Sequence, residues 1–331
     1  MWLLSVRYIE VVLPFLEKAV IAKIRRRSRV WPGVVSGIGD DCAALRIPAS
    51  EEVLVTTDFS LEGVHFRREW HPPESVGHRC LTRGLSDIAA MGGRPIAAFL
   101  SLALPRKLDQ KWVDRFFQGF TRLADRHQVT LAGGDIAQSP CGVLADIIVL
   151  GVVPRGKAVL RSGARPGDLV YVSGELGGSA AVLQELRKGG RKKLDSSIHA
   201  RYFFPEPRLE LGQFLRQRGL ATSMIDISDG LSTDLGHICE ESGVGARLTG
   251  NLIPHPRMAT SGNKTSLRLA LHGGEDYELL FTAAREKKIP RKIADVAITQ
   301  IGAITRGKGM VLANESGKAS TLHAQGWQHF S

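Results

Sequence analysis

No run of about 18 uninterrupted apolar residues occurs in this 331-residue chain, which argues against a membrane-spanning helix. The nearest approach, Trp2 to Ala22, has the hydrophobicity of a secretory leader. Arg7, Glu10, Glu17 and Lys18 interrupt it, however, and no small-residue cleavage site follows, so it reads as an amphipathic segment broken near Pro14. Cysteine is sparse: Cys42, Cys80, Cys141 and Cys239 form no C-x-x-C and have no histidine at zinc spacing, which points to a reduced, cytoplasmic protein. Aromatic residues make up only 6% of the chain, and none interleave with its basic clusters at Arg25–Arg27, Arg67–Arg68, Arg187–Lys188 and Lys287–Lys288. The formal net charge of +11 therefore speaks for an anionic small substrate or for solubility, and not for nucleic acid. Three familiar chemistries are also missing. Gly151–Ala158 and Gly302–Gly309 approach a Walker A loop but lack its Ser or Thr, no G-x-G-x-x-G occurs with a downstream ribose acid, and no G-x-S-x-G elbow is present.

What is present is a chain of 43% hydrophobic residues with 36 glycines, suited to a loop-rich α/β or α+β protein of two domains. Apolar runs at 52–58, 96–104, 129–135 and 141–153 read as strands, and 74–91 and 109–125 as amphipathic helices. Pro154 to Lys157 mark a boundary, giving an N-terminal α/β domain over 1–153 and a C-terminal α+β domain over 154–331. In the second half, strands are expected at 169–173 and 223–226. Helices are expected from Gly177, from Pro205 through Pro207 into Leu215, and after Asp229. A strand carrying Glu275 and Asp276 follows two glycines, and beyond it only weak strands and turns are expected.

The most informative stretch is Ser223–Ile238, where Asp226 and Asp229 sit at the passage from an apolar run into a helix. Leu231, Leu235 and Ile238 recur at i, i+4 and i+7 and mark the buried face, with Ser228 or Asp229 placed to cap the helix. Capping would account for one of these residues; two carboxylates leave a second reading open. Three other runs end in acids: Gly37-Ile-Gly-Asp-Asp41, Val53-Leu-Val-Thr-Thr-Asp58 and Val129-Thr-Leu-Ala-Gly-Gly-Asp135. Adjacent Asp40 and Asp41 repel unless a cation or donors compensate, although an acidic pair also suits a plain turn. Thr56, Thr57 and Asp58 are the hard oxygen donors that Mg²⁺ prefers, and Asp87, among small residues on its helix, needs a partner. Phe117 is either core or a stacking surface for a purine. Together these suit phosphoryl transfer, in which positioning and charge neutralisation replace a covalent nucleophile.

These motifs resemble one family: Gly37–Leu45, Thr56–Phe66, Leu85–Gly93, Gly133–Asp135, Arg161–Asp168, Met224–Leu231 and Gly273–Phe281 are similar, in the same order, to those of the thiamine-monophosphate kinases. That family belongs to a superfamily with aminoimidazole ribonucleotide synthetase and selenophosphate synthetase. The resemblance covers most of the chain and implies a two-domain fold, a homodimer formed through the N-terminal domains, and transfer of the ATP γ-phosphate to thiamine monophosphate with Mg²⁺. It implies that Asp41, Thr56, Thr57, Asp58, Asp87, Asp135, Asp226 and Asp229 hold metal, the last two being catalytic. Gly134, Arg161, Ser228 and Phe117 would meet ATP, and His65, Glu275 and Trp327 the acceptor. Three positions depart from the family pattern: Gly84 replaces an Asn, Ile136 a Thr, and Phe117 a Tyr. The alternatives are a sibling ATP-dependent synthetase on the same fold, or a basic nucleic-acid-binding protein on a degenerate one.

Overall fold

The computed structural model describes residues 17–189, 196, 199–257, 265–314 and 316–327. The expected amphipathic segment before Glu17 and most of the basic loop near 190 lie outside these. The first unit runs α1 (Glu17–Arg27), β1 (Val34–Ser36), β2 (Ala44–Leu45), β3 (Glu51–Leu61), α2 (Pro73–Ala90), β4 (Arg94–Pro105), α3 (Gln110–Arg126), β5 (Thr130–Ser139) and β6 (Leu144–Pro154). Four strands make a sheet in the order β3-β6-β4-β5, and only the β4-β5 pair, joined through α3, is parallel.

Strand alternation divides this sheet by face. On β3, Leu54 and Ser60 are buried, while Val53, Val55 and Phe59 between them stand 44%, 65% and 52% exposed. One face is thus roofed by helices; on the other, Val34 of β1 and Leu45 of β2 pack over Ala97, Ala132 and Val152, and Val53, Val55 and Phe59 are left bare. The roof is tight because α2 and α3 cross at glycines: a Cβ on Gly77 would stand 2.0 Å from the Phe116 carbonyl oxygen, and one on Gly119 1.9 Å from that of Glu74. Either glycine replaced by alanine would force the helices apart. Asp109 caps α3, its carboxylate accepting from the Lys111 N–H at 3.0 Å.

The second unit comprises β7 (Leu169–Ser173), α4 (Gly178–Gly189), α5 (Ala200–Phe203), α6 (Leu209–Gln217), β8 (Ser223–Asp226), α7 (Leu231–Ser242), β9 (Gly245–Thr249), α8 (Leu267–His272), β10 (Leu279–Ala283), β11 (Lys292–Ile293), β12 (Val296–Thr305), β13 (Gly309–Ala313) and β14 (Ala319–Leu322). An eight-stranded sheet runs β14-β13-β9-β12-β7-β10-β8, with β11 appended to β12. Three expectations need correction. The region after Pro290 holds four strands, and β12 is interior; its short runs take their order from neighbours on both sides rather than from local propensity. Pro205 and Pro207 stand before α6 and not within it, as two ring-locked residues require. Glu275 and Asp276 precede β10 in a loop where Glu275 has φ 66° and Tyr277 φ 52°.

Helix α2 joins the two units. Leu81, Leu85 and Ile88 share one core with Leu209, Leu211, Leu215, Met224 and Phe281 of the second unit. At about 1.5–3 kcal/mol for each buried aliphatic side chain, that junction is a substantial hydrophobic contact. The approach of α6 is again close: a Cβ on Gly212 would meet the Ala89 carbonyl oxygen at 2.0 Å. Arg216 Nε donates to Gly92 O at 2.7 Å and Gln213 Nε2 to Gly93 O at 3.1 Å, tying α6 to the end of α2.

Candidate active site

The Asp226–Gly230 turn leaves the sheet at its β8 edge. Tyr277 N–H donates to Ile227 O at 2.9 Å and Glu275 N–H to Ser228 O at 2.7 Å, so the turn and the Glu275 loop hold each other. The expected cap by Ser228 or Asp229 is not used. Gly230 occupies the cap position at φ 119°, and Asp234 accepts from its N–H at 3.0 Å from within the first turn. The C-terminal tail closes the other side, with Trp327 N–H donating to Asp229 O at 3.1 Å and Gly326 N–H to Thr233 Oγ1 at 3.0 Å.

Helix α2 forms the facing wall. Ser86 Oγ donates to Asp226 Oδ2 at 2.6 Å, and Thr56 Oγ1 donates to Asp87. One turn and two turns earlier lie Arg83 and Arg79, and both bind Glu275: Arg79 Nη2 reaches Oε2 at 2.6 Å and Arg83 Nη2 reaches Oε1. Arg83 Nη1 also stands 3.8 Å from Asp58 Oδ1.

The electrostatics follow from burial and crowding. Burial pushes Asp58 up to about 6; Arg83 opposes this, and Asp87, Glu275 and Asp229 add to it. Asp226 rises to about 7 through burial and then the neighbouring Asp87. Burial raises Asp87 as well, and takes Asp234 to about 8 with help from Asp226 and Asp229. Glu275 goes the other way: burial would raise it, but Arg79 and Arg83 hold it at about 2. Asp58, Asp87, Asp226 and Asp229 thus form a nest of like charges short of cations, which is the condition a divalent ion relieves. Their donor set, with the Thr56 hydroxyl, is all hard oxygen and fits Mg²⁺. A nitrogen-bearing group adjoins it, since one ligand atom each of Asp229, Asp234 and His237 lie within 4.8 Å of one another.

The remaining expected metal residues sit elsewhere. Asp41 and Asp135 line a cavity of about 600 Å³ with Gly134, Phe117 and α1 residues Ile21 and Ile24. Gly134 is obligatory there: its φ is 145°, and a Cβ would fall 1.9 Å from Leu100 O. Thr57 points to the bare face and donates to Asp146 Oδ1 at 2.8 Å, and Asp146, Ser101 and Asp135 follow in register across that sheet. Three strand spacings, about 14 Å, separate β3, which carries Asp58, from β5, which carries Asp135.

Arg161 is exposed, but its charge reaches Asp87 and Asp226. Ser228 is half-buried in the central turn. His65 Nδ1 accepts from the Leu61 N–H at 3.0 Å, and its ring lies near enough to Glu275 to favour the carboxylate. Phe117 is 4% exposed and edge-on to Phe116, contributing to core and cavity alike. Trp327 is 50% exposed beside the Asp229 turn. Several residues of the site escaped the sequence reading: Arg79, Arg83, Ser86, Asp234, and Asp276, which accepts from Gly177 N–H at 2.6 Å and Ser179 N–H at 3.2 Å. The available signal was the i, i+4, i+8 spacing of Arg79, Arg83 and Asp87 on a helix that is otherwise almost wholly buried.

Residues 39–153 match the AIR synthase related protein N-terminal domain and residues 165–319 its C-terminal domain, which sets the class as a two-part AIR synthase-like protein. Within that class the similarity is specific. The thiamine-monophosphate kinase of Salmonella typhimurium is 37% identical over 310 residues, covering 90% of this chain and 93% of the relative. The crystal structure of thiamine-monophosphate kinase from Stenotrophomonas maltophilia is 34% identical with a TM-score of 0.78, covering 92% of this chain and 98% of that one. The structure of AaThiL complexed with AMPPCP and TMP is 33% identical with a TM-score of 0.75, covering 95% and 97%. The chain belongs to the thiamine-monophosphate kinase family.

Proposed function

We propose that this protein transfers the γ-phosphoryl group of ATP directly to the phosphate of thiamine monophosphate, giving thiamine diphosphate. The observation that carries the reading is the cation-deficient nest of Asp58, Asp87, Asp226 and Asp229, set on two facing walls and joined by the Ser86–Asp226 hydrogen bond. Joining two phosphates means bringing together groups that repel strongly, and a site built of fixed carboxylates binds them only through cations.

In this reading Thr56, Asp58, Asp87, Asp226 and Asp229 would hold Mg²⁺, which would supply neutralisation of charge on the phosphoryl group. Asp41, Gly134, Asp135 and Phe117 form the nucleotide side, Gly134 supplying close backbone approach, and Arg161 and Ser228 reach the phosphates. His65, Glu275 and Trp327 receive the acceptor. The α2 wall keeps the carboxylates oriented and excludes water from the reacting atoms. The domains divide at Pro154, as 1–153 and 154–331.

The protein acts as a homodimer. Support comes from the bare sheet face of Val53, Val55 and Phe59, and from the 14 Å that separate the two acid groups, about three strand spacings. Two such sheets packed face to face about an axis parallel to the strands set β3 of one subunit against β5 of the other. Among the described residues no helix is long and apolar enough to cross a membrane. The test is direct: ADP release on mixing protein, ATP, Mg²⁺ and thiamine monophosphate, with thiamine diphosphate identified by phosphorus NMR. Release that does not depend on thiamine monophosphate would refute the assignment.

A further inference from the structure

The two arginines on Glu275 alter what that loop can recognise. A lone carboxylate would answer a cationic thiazolium. Here both of its oxygens are taken, one by Arg79 and one by Arg83, so the three groups together carry one net positive charge. The arginines are not equivalent. Arg79 is spent: besides Glu275 it donates to the Tyr202 carbonyl and stacks over the Tyr202 ring, its guanidinium carbon 4.9 Å from the ring centroid. Arg83 makes one hydrogen bond among the described residues, to Glu275; its Nε is buried without a partner, and its Nη1 lies 3.8 Å from Asp58 Oδ1, too far to be a hydrogen bond. A guanidinium with donors in reserve thus stands beside the Asp58 carboxylate of the nest, the kind of group that a phosphate oxygen would satisfy.

We infer that Arg83, held in place by Glu275, binds the phosphate of the acceptor, so that the Arg79–Glu275–Arg83 group selects a phosphomonoester over the corresponding alcohol rather than a cationic ring over a neutral one. The inference rests on the reading of the protein as a thiamine-monophosphate kinase and names the part of the acceptor that this group reads. Arg83 is then a specificity-determining residue, and Glu275 a positioning residue that fixes its guanidinium plane. Bidentate or forked contact with phosphate is what a guanidinium does and an ammonium does not, so lysine is not an equivalent replacement.

The test compares thiamine monophosphate with thiamine, which lacks the phosphate, by calorimetric titration in Mg²⁺ and a non-hydrolysable ATP analogue. In Arg83→Met the affinity for thiamine monophosphate is expected to fall about 10-fold or more with thiamine unchanged, Arg83→Lys lying between. Arg79 remains on Glu275 in these variants, while Asp58 loses the Arg83 charge 3.8 Å away, so circular dichroism and the ATP-analogue affinity are measured alongside to verify the fold and the metal side of the site. Equal loss for both ligands, or loss for neither, overturns the inference. If Arg83→Met unfolds, the wild-type preference for thiamine monophosphate at rising inorganic phosphate decides: phosphate must compete with thiamine monophosphate and leave thiamine binding intact, and no competition overturns it. Failure of the broader reading is distinct, because wild-type protein would then release no ADP with thiamine monophosphate at all.

Discussion

Replacing Asp226 by Asn should move stability and activity in opposite directions. Asp226 is 3% exposed, and its rise from an ordinary 3.8 to about 7 corresponds to about 4 kcal/mol spent on keeping it ionised at pH 8. Part of that burden belongs jointly to Asp87, so about 2–4 kcal/mol is the reasonable span. Asparagine keeps the shape and an oxygen to accept from Ser86 Oγ, and removes the charge. In EDTA at pH 8 the variant should therefore melt several degrees above wild type. Turnover should fall by about 10²-fold or more, since a group placed to hold metal and phosphate charge is lost. Added Mg²⁺ should raise the melting temperature of wild type more than that of the variant, because only binding to the folded state stabilises. Differential scanning fluorimetry with and without EDTA, beside an ADP-release assay, measures all three. A variant no more stable than wild type in EDTA, or one that turns over normally, would refute the charge-crowding argument.

Three further outcomes follow from the same geometry. Asp58, Asp226 and Asp234 are raised to about 6, 7 and 8 in the folded protein, so the folded state binds more protons than the unfolded chain between about pH 4 and pH 8. Stability of the metal-free protein should then decline as pH rises through that window, and urea midpoints at pH 5 and pH 8.5 in EDTA that are equal, or higher at pH 8.5, would contradict it. Trp327→Ala should weaken thiamine monophosphate about 10-fold while ATP affinity holds, since an indole face on a flat cationic ring is worth about 0.5–2 kcal/mol; calorimetry on both ligands separates this from a role in anchoring the tail. Phe59→Asp on the bare sheet face should leave the fold intact and shift sedimentation velocity from dimer to monomer, with activity falling alongside; an unaltered dimer would place the interface elsewhere.

How far the sequence could be read depended on whether a residue's partner was near in the chain. Helix α3 was legible to within a residue because its apolar period and its Asp109 cap are local. Strand β3 was legible from its β-branched run, and the acids at strand ends stood out because charge is rare there. Arg83 was opaque, since its meaning lies in Glu275, 192 positions away. Asp234 was passed over for the same reason that Ser228 and Asp229 were favoured as caps: the usual rule looks before the helix, and this helix is capped from inside its first turn. The strands after Pro290 carry short, weakly apolar runs whose order comes from pairing, which no local window reports. Even the division of Thr56 from Thr57 was available in principle, because adjacent strand residues face opposite ways; what the chain did not disclose was which face would be covered.

Helix α2, flanked by sheet strands and α3 on one side and by α6 and β8 on the other, has a consequence for motion. A hinge needs a seam that can part, and here the seam is a helix whose Leu81, Leu85 and Ile88 belong to one core shared with residues of both units. Parting the units would expose Leu81, Leu85 and Ile88 and break the Arg79–Glu275 and Ser86–Asp226 contacts together. Opening is then expected in lighter pieces such as the 325–327 segment, tied to the Asp229 turn and α7 by Trp327 N–H on Asp229 O and by Gln325 and Gly326 N–H on the Ser232 and Thr233 hydroxyls. Seen kinetically, such a frame is expected to place any slow conformational step in a latch rather than in a jaw.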